Sequence, residues 1–143
     1  LREARSRLEE IDLVVAKGRA EHGEHLMQYR LGDAVSLRDS AVRRPLAEFS
    51  ILTVHAVAGI GNPDDFFTML KAARLKVIEH PFPDHHRFKP GDIAFNDGKP
   101  VLMTQKDAVK CEEFAGPMHW FVPLEAVLKE SFVHRFNRMV ATL

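Results

Sequence analysis

From residue 50 onward the hydrophobic and polar positions switch between two periods. Residues 51–57 form a β-rich apolar run ending at Ala58-Gly59-Ile60-Gly61-Asn62-Pro63. Phe66, Phe67, Leu70 and Ala73 then recur on one face of a 3.6-residue period. That order predicts a strand, a glycine turn and a helix. Residues 76–80 predict a second strand, closed by Pro81-Phe82-Pro83-Asp84-His85-His86, and residues 100–103 a third, after which Thr104-Gln105-Lys106-Asp107 opens another helix. Residues 120–122 read as a short fourth strand. A terminal helix is expected to carry Leu124, Val127, Leu128, Phe132, Phe136, Val140 and Leu143 on an apolar stripe, as core or as a membrane-lying face.

Before residue 50 the pattern is less regular. Residues 3–10 suggest a polar helix and residues 11–15 a buried strand stopped by Gly18. Residues 25–37 suggest two short strands joined at Gly32-Asp33, a small antiparallel hairpin. The charged stretch 38–48, with Pro45, reads as a surface connection. With no repeat, low-complexity tract or composition break, residues 1–143 read as a single domain.

Strand and helix alternating through short connections favour an α/β fold with a mostly parallel sheet flanked by helices. In such sheets ligands gather at the carboxyl ends of the strands. Three polar loops follow strands directly, at 59–63, 83–88 and 104–110. If the strands are parallel, the loops meet at one edge, which marks the candidate site.

Composition narrows the chemistry. Twenty basic residues balance twenty acidic ones, which excludes nucleic-acid binding driven by bulk positive charge. The single cysteine, Cys111, excludes an intrachain disulfide and a CxxC zinc site. It reads as a small buried hydrophobe. No apolar run approaches the roughly 18–20 residues of a membrane-spanning helix. The chain opens Leu1-Arg2-Glu3 with no charged-then-apolar leader, so a processed start or a piece of something longer is expected.

Each polar loop has a plain reading and a functional one. Gly59-Ile60-Gly61 can be a tight turn before a helix with Asn62 as N-cap, or a backbone contact for a ligand. Asp64 and Asp65 in the first turn disfavour a phosphate there. Asp84-His85-His86 offers a proton-transfer imidazole with a carboxylate to orient it, a set of structural loop groups, or, with His80, a metal cluster. Thr104 and Asp107 fit helix capping. Lys106, a cation at the positive end of that helix, is either simply solvated or offset by a phosphate-bearing ligand. No Gly-x-x-x-x-Gly-Lys-[Ser/Thr] loop occurs.

Read together, the stretches His55-Ala-Val-Ala-Gly-Ile-Gly-Asn-Pro63 with Phe66-Phe67, Phe82-Pro-Asp-His-His86 and Val101-Leu-Met-Thr-Gln-Lys-Asp-Ala-Val-Lys-Cys111 resemble the C-terminal half of the tetraacyldisaccharide 4'-kinase (lipid A 4'-kinase) family. Leu1-Arg2-Glu3 resembles a further family segment. Gln105 stands where the family usually has Glu, and Lys17 where it often has Asn. The resemblance implies a P-loop-kinase-like fold about twice this length. The Walker A loop, magnesium-binding aspartates and catalytic aspartate would lie in the other half, so ATP and Mg2+ would be bound mainly there. It implies transfer of the γ-phosphoryl group of ATP to the 4'-hydroxyl of a lipid disaccharide 1-phosphate, at the cytoplasmic face of the inner membrane of Gram-negative bacteria, with the full-length protein peripheral to that membrane.

By the same resemblance His85 is the histidine of a catalytic dyad, and Arg2 is an arginine near the nucleotide phosphates. Lys106 is a possible phosphate contact, while Asp84, His86, Gly59, Gly61 and Asn62 are expected at the substrate. The resulting reading is the C-terminal part of a kinase, inactive alone. Its rivals are a non-catalytic lipid- or partner-binding module of the same fold and a small metal-dependent hydrolase built on His80, Asp84 and His85.

Overall fold

The computed structural model describes residues 14–17 and 24–142. Its strands are β1 (Val14–Lys17), β2 (Glu24–Leu31), β3 (Ala34–Ser36), β4 (Arg43–Arg44), β5 (Thr53–Ala58), β6 (Lys76–Pro81), β7 (Val101–Thr104), β8 (His119–Val122) and β9 (Leu124–Leu128). Its helices are α1 (Pro63–Ala72), α2 (Pro90–Ile93), α3 (Gln105–Ala108) and α4 (Glu130–Ala141). The chain divides into two compact units, Leu31–Glu125 and Leu1–Arg30 with Ala126–Leu143.

The larger unit is built on a six-stranded sheet in the order β4-β3-β8-β7-β5-β6. β6, β5, β7 and β8 are parallel, while β3 runs antiparallel to both β8 and β4. The inner strands β3, β8, β7 and β5 are buried on both faces, so they read as apolar runs rather than alternations, whereas the edge strands β4 and β6 are largely exposed. Val54, Ala56 and Ala58 pack with Phe66, Phe67 and Leu70 of α1 on one side. Val57, Val101 and Met103 pack with Phe88, Ile93, Ala108 and Cys111 on the other. Each fully buried Phe or Leu there stabilises the fold by roughly 1.5–3 kcal/mol relative to an exposed one.

Local chemistry sets the helix ends. Pro63 opens α1, Asp64 and Asp65 lie in its first turn, and Asn62 takes the N-cap position without a side-chain bond. Arg74 at φ 66° follows the end of α1, a left-handed residue of the kind that terminates helices. Thr104 caps α3: its hydroxyl accepts from the Asp107 N–H at 3.2 Å and donates to Asp107 Oδ2 at 2.6 Å.

Three expectations are corrected. The antiparallel hairpin exists, but it is β3 with β4, pairing the end of the stretch read as a hairpin with residues of the stretch read as a connection. The strand before Gly32 joins a different, three-stranded sheet of order β1-β2-β9. Residues 124–128, assigned to the terminal helix, are strand β9, because apolar residues at 124, 127 and 128 suit either period and a sheet edge was there to pair with. The apolar stripe of α4 is not core: Val133, Phe136 and Val140 are about half exposed. The predicted elements at residues 3–10 and 11–13 lie outside the described residues.

Candidate active site

Because β5, β6 and β7 are parallel neighbours, the loops after them emerge on one edge. A Cβ placed on Gly61 would stand 3.8 Å from Asp84 Oδ2, joining the first loop to the second. Lys106 Nζ lies 3.5 Å from Asp84 Oδ1, and Lys110 Nζ 3.5 Å from the His86 carbonyl oxygen, joining the second to the third. The Gly59 N–H donates to Asp107 Oδ2 at 2.8 Å, closing the ring of three.

Within this rim the residues divide by how fully they are engaged. His85 is 81% exposed, its Nε2 is 3.5 Å from Asp84 Oδ2, and its backbone sits at φ 60°. For a non-glycine residue that left-handed conformation costs on the order of 1 kcal/mol, the kind of strain found at functional sites. Desolvation pushes the Asp84 carboxyl up. The charges of His85 and Lys106 and the His85 backbone N–H outweigh it and hold the carboxyl below its usual range.

His86 is held differently. Its Nε2 donates to Asp92 Oδ2 at 2.9 Å, and its ring packs between Phe82 and Phe88 at 4.6 and 4.8 Å. The bond from His86, then the Lys89 N–H, keep Asp92 below the ordinary carboxylate range. Lys106 has an explanation that needs no ligand, since the Asp84 carboxylate offsets its position at the start of α3. Gly59 is corrected as a ligand contact through its amide, because Asp107 takes that N–H. The close approach needs a glycine: a Cβ there would meet Phe88 Cζ at 3.2 Å. Arg2 lies outside the described residues.

Asp107, fully buried, is the clamp that sequence reasoning took only for a cap. It binds Thr104 and Gly59 through Oδ2, while Oδ1 has no hydrogen-bond partner and lies 3.9 Å from Lys110 Nζ. Cys111 is buried beneath it. Desolvation, then the nearby Asp107 and Asp92, push its thiol up to about 12, so it is a packed hydrophobe and not a nucleophile.

A second histidine cluster was missed. The Asp97 carboxylate accepts from His55 Nε2 at 2.8 Å, and His55 Nδ1 pairs with His80 Nε2 at 2.9 Å. Phe95 stacks on both rings, at 3.9 and 4.3 Å. This engagement of His80 undercuts the hydrolase reading, and no three His, Cys, Asp or Glu among the described residues are arranged to hold a metal ion. Its members lie 25 and 42 positions apart, so no local spacing could have revealed it.

The chain builds an α/β fold with a mostly parallel sheet whose polar loops gather at the carboxyl edge. The crystal structure of LpxK from Aquifex aeolicus in complex with ATP matches it with a TM-score of 0.72 at 19% identity, over 99% of this chain and 45% of that one. The profile of the tetraacyldisaccharide-1-P 4'-kinase family (LpxK) matches residues 1–141. The tetraacyldisaccharide 4'-kinase of Nitrosococcus oceani is 49% identical over 92% of this chain and 39% of its own length. That of Alcanivorax borkumensis is 47% identical over 93% and 41%. The chain therefore belongs to the tetraacyldisaccharide 4'-kinase family, and it spans about 40% of the length of these relatives.

The loop at 59–63 and the start of α1 do not by themselves fit the phosphates of a nucleoside triphosphate. The Gly59 amide is already bonded, and Asp64 and Asp65 at the start of α1 oppose a phosphate.

Proposed function

We propose that this chain is the C-terminal part of an ATP-dependent kinase acting on the 4'-hydroxyl of a tetraacyldisaccharide 1-phosphate, and that it forms the acceptor side of the active site. The observation that carries the reading is His85: a strained, exposed imidazole beside a carboxylate, on the edge where three family motifs converge. Phosphoryl transfer rests on positioning and on charge neutralisation, with a base to take the hydroxyl proton. His85 would orient a carboxylate base supplied by the other part of the kinase and share the proton leaving the 4'-oxygen. Asp84 holds the imidazole from one side, and Lys106 holds Asp84. ATP, with Mg2+, would supply the γ-phosphoryl group when bound to that other part.

The absence of a Gly-x-x-x-x-Gly-Lys-[Ser/Thr] loop from this sequence supports a chain inactive alone. A lipid acceptor and the half-exposed Val133, Phe136 and Val140 of α4 support a peripheral place at the cytoplasmic face of a bacterial inner membrane. In the full-length kinase His85→Ala should lower kcat by about 10²- to 10⁴-fold at similar nucleotide affinity. Unchanged turnover would favour a non-catalytic module, and magnesium-ATP turnover by the isolated chain would overturn its inactivity.

A further inference from the structure

Beside His85 lies a cavity of about 290 Å³ lined by His85, His86, Arg87, Phe88 and Lys110. Four of these five side chains carry nitrogens able to bear positive charge, in a chain whose formal net charge is zero. The neighbouring acids meet three of the lining groups but not Arg87. Asp84 faces Lys106 and His85, Asp92 takes His86 and the Lys89 N–H, and Asp107, bonded through Oδ2 to the Gly59 N–H and the Thr104 hydroxyl, has Oδ1 toward Lys110. Lys110 is loosely matched, its Nζ 3.5 Å from the His86 carbonyl oxygen and 3.9 Å from Asp107 Oδ1, with the ammonium 5.9 Å from the centre of the Phe88 ring. Arg87 is exposed and has no hydrogen bond or ion pair among the described residues. An unpaired guanidinium fork and a second cation around one concavity are what a phosphate dianion requires.

We infer that this cavity is an anion subsite for a sugar phosphate monoester, with Arg87 as its fork and Lys110 as its second cation. It rests on the acceptor-side reading above, because it adjoins the imidazole assigned to the acceptor hydroxyl. The phosphate is then one carried by the acceptor, either the 1-phosphate of the substrate or the 4'-phosphate just formed.

The test uses the full-length kinase with glucosamine 1-phosphate and glucosamine 4-phosphate as competing probes, and glucosamine as the uncharged control. Arg87→Ala should weaken at least one phosphorylated probe by about 10- to 100-fold and leave glucosamine unaffected, with Lys110→Ala doing the same to a lesser degree. Arg87→Lys should recover part of the loss. Weakening of the 1-phosphate probe, with a higher acceptor KM at nearly constant kcat, assigns the substrate's own phosphate. Weakening of the 4-phosphate probe, with weaker product inhibition, assigns the new one. Probe affinities, KM and kcat all within twofold of wild type in both alanine variants would overturn the subsite. His85→Ala run in parallel separates the two claims: an inert His85→Ala beside a weakened Arg87→Ala removes the role of His85 and leaves the subsite, and the reverse removes the subsite alone.

Discussion

The larger unit holds three pairings of histidine with aspartate among its described residues, and two of them are built to opposite ends. In the Asp97–His55–His80 row every contact is short, the His55 side chain is 6% exposed, and Phe95 covers both rings. Asp97 only accepts, so His55 Nε2 donates to it, and the other ring nitrogen, Nδ1, is shared with His80 Nε2. At the rim, His85 makes one loose contact at 3.5 Å, stands in water and is held in a strained backbone. The first arrangement spends its hydrogen-bonding capacity on the fold, whereas the second keeps that capacity open for something that arrives. The presence of histidine beside aspartate is thus no guide to function; saturation is.

The sharpest way to test that contrast is to make matched substitutions at both centres. His55→Ala should destabilise the purified protein by about 2–4 kcal/mol in urea unfolding, since it opens a void and strips two partners of their bonds. His85→Gly should do the reverse, raising stability by about 0.5–1 kcal/mol through relief of the left-handed backbone while abolishing most of the full-length activity. If His85→Gly destabilises instead, the strain assigned to that position is wrong. Asp107→Ala frees both the Gly59 turn and the Thr104 cap and should cost about 1–2 kcal/mol, with amide exchange at Gly59 rising more than at the α1 helix.

The smallest effect is the pH dependence. Desolvation, then the charge of His55, push the His80 imidazole below its ordinary 6.5. Its contribution is full above that value and is lost as pH falls toward the folded one, because the unfolded chain then binds the proton more readily. Asp97, held low by the bonds from His55 and then Lys99, adds a second loss below its ordinary 3.8. Urea midpoints followed from about pH 7.5 to about pH 2 should therefore fall in two limbs, the upper starting near His80's ordinary value and the lower below that of Asp97. His80→Gln should flatten only the upper one, and an unaltered upper limb would show that His80 does not titrate with folding.

Much of this was legible along the chain, and for identifiable reasons. Pro63 after Asn62, Thr104 three positions before Asp107 and the apolar run at 51–57 are local signals, and each produced the element expected of it. The convergence of the loops at 59–63, 83–88 and 104–110 followed from parallel strands alone. The misread segments are those whose local pattern permits two periods. Residues 124–128 became a strand because partners far back in the chain offered a ladder. Residues 43 and 44, charged and following a turn, became β4 because β3 presented an unpaired edge.

The order of residues therefore determined the alternation of elements, the family and the identity of the loops that reach the rim, since all of these depend on periodicity, caps and motifs read over short spans. Only the tertiary structure decided which polar groups are satisfied. Asp107 silences the Gly59 amide, Asp84 answers Lys106, Asp97 and His80 close around His55, and Arg87 has no partner among the described residues. Such pairings join positions tens of residues apart, and it is the register of the sheet, not the spacing in the chain, that sets which donor meets which acceptor.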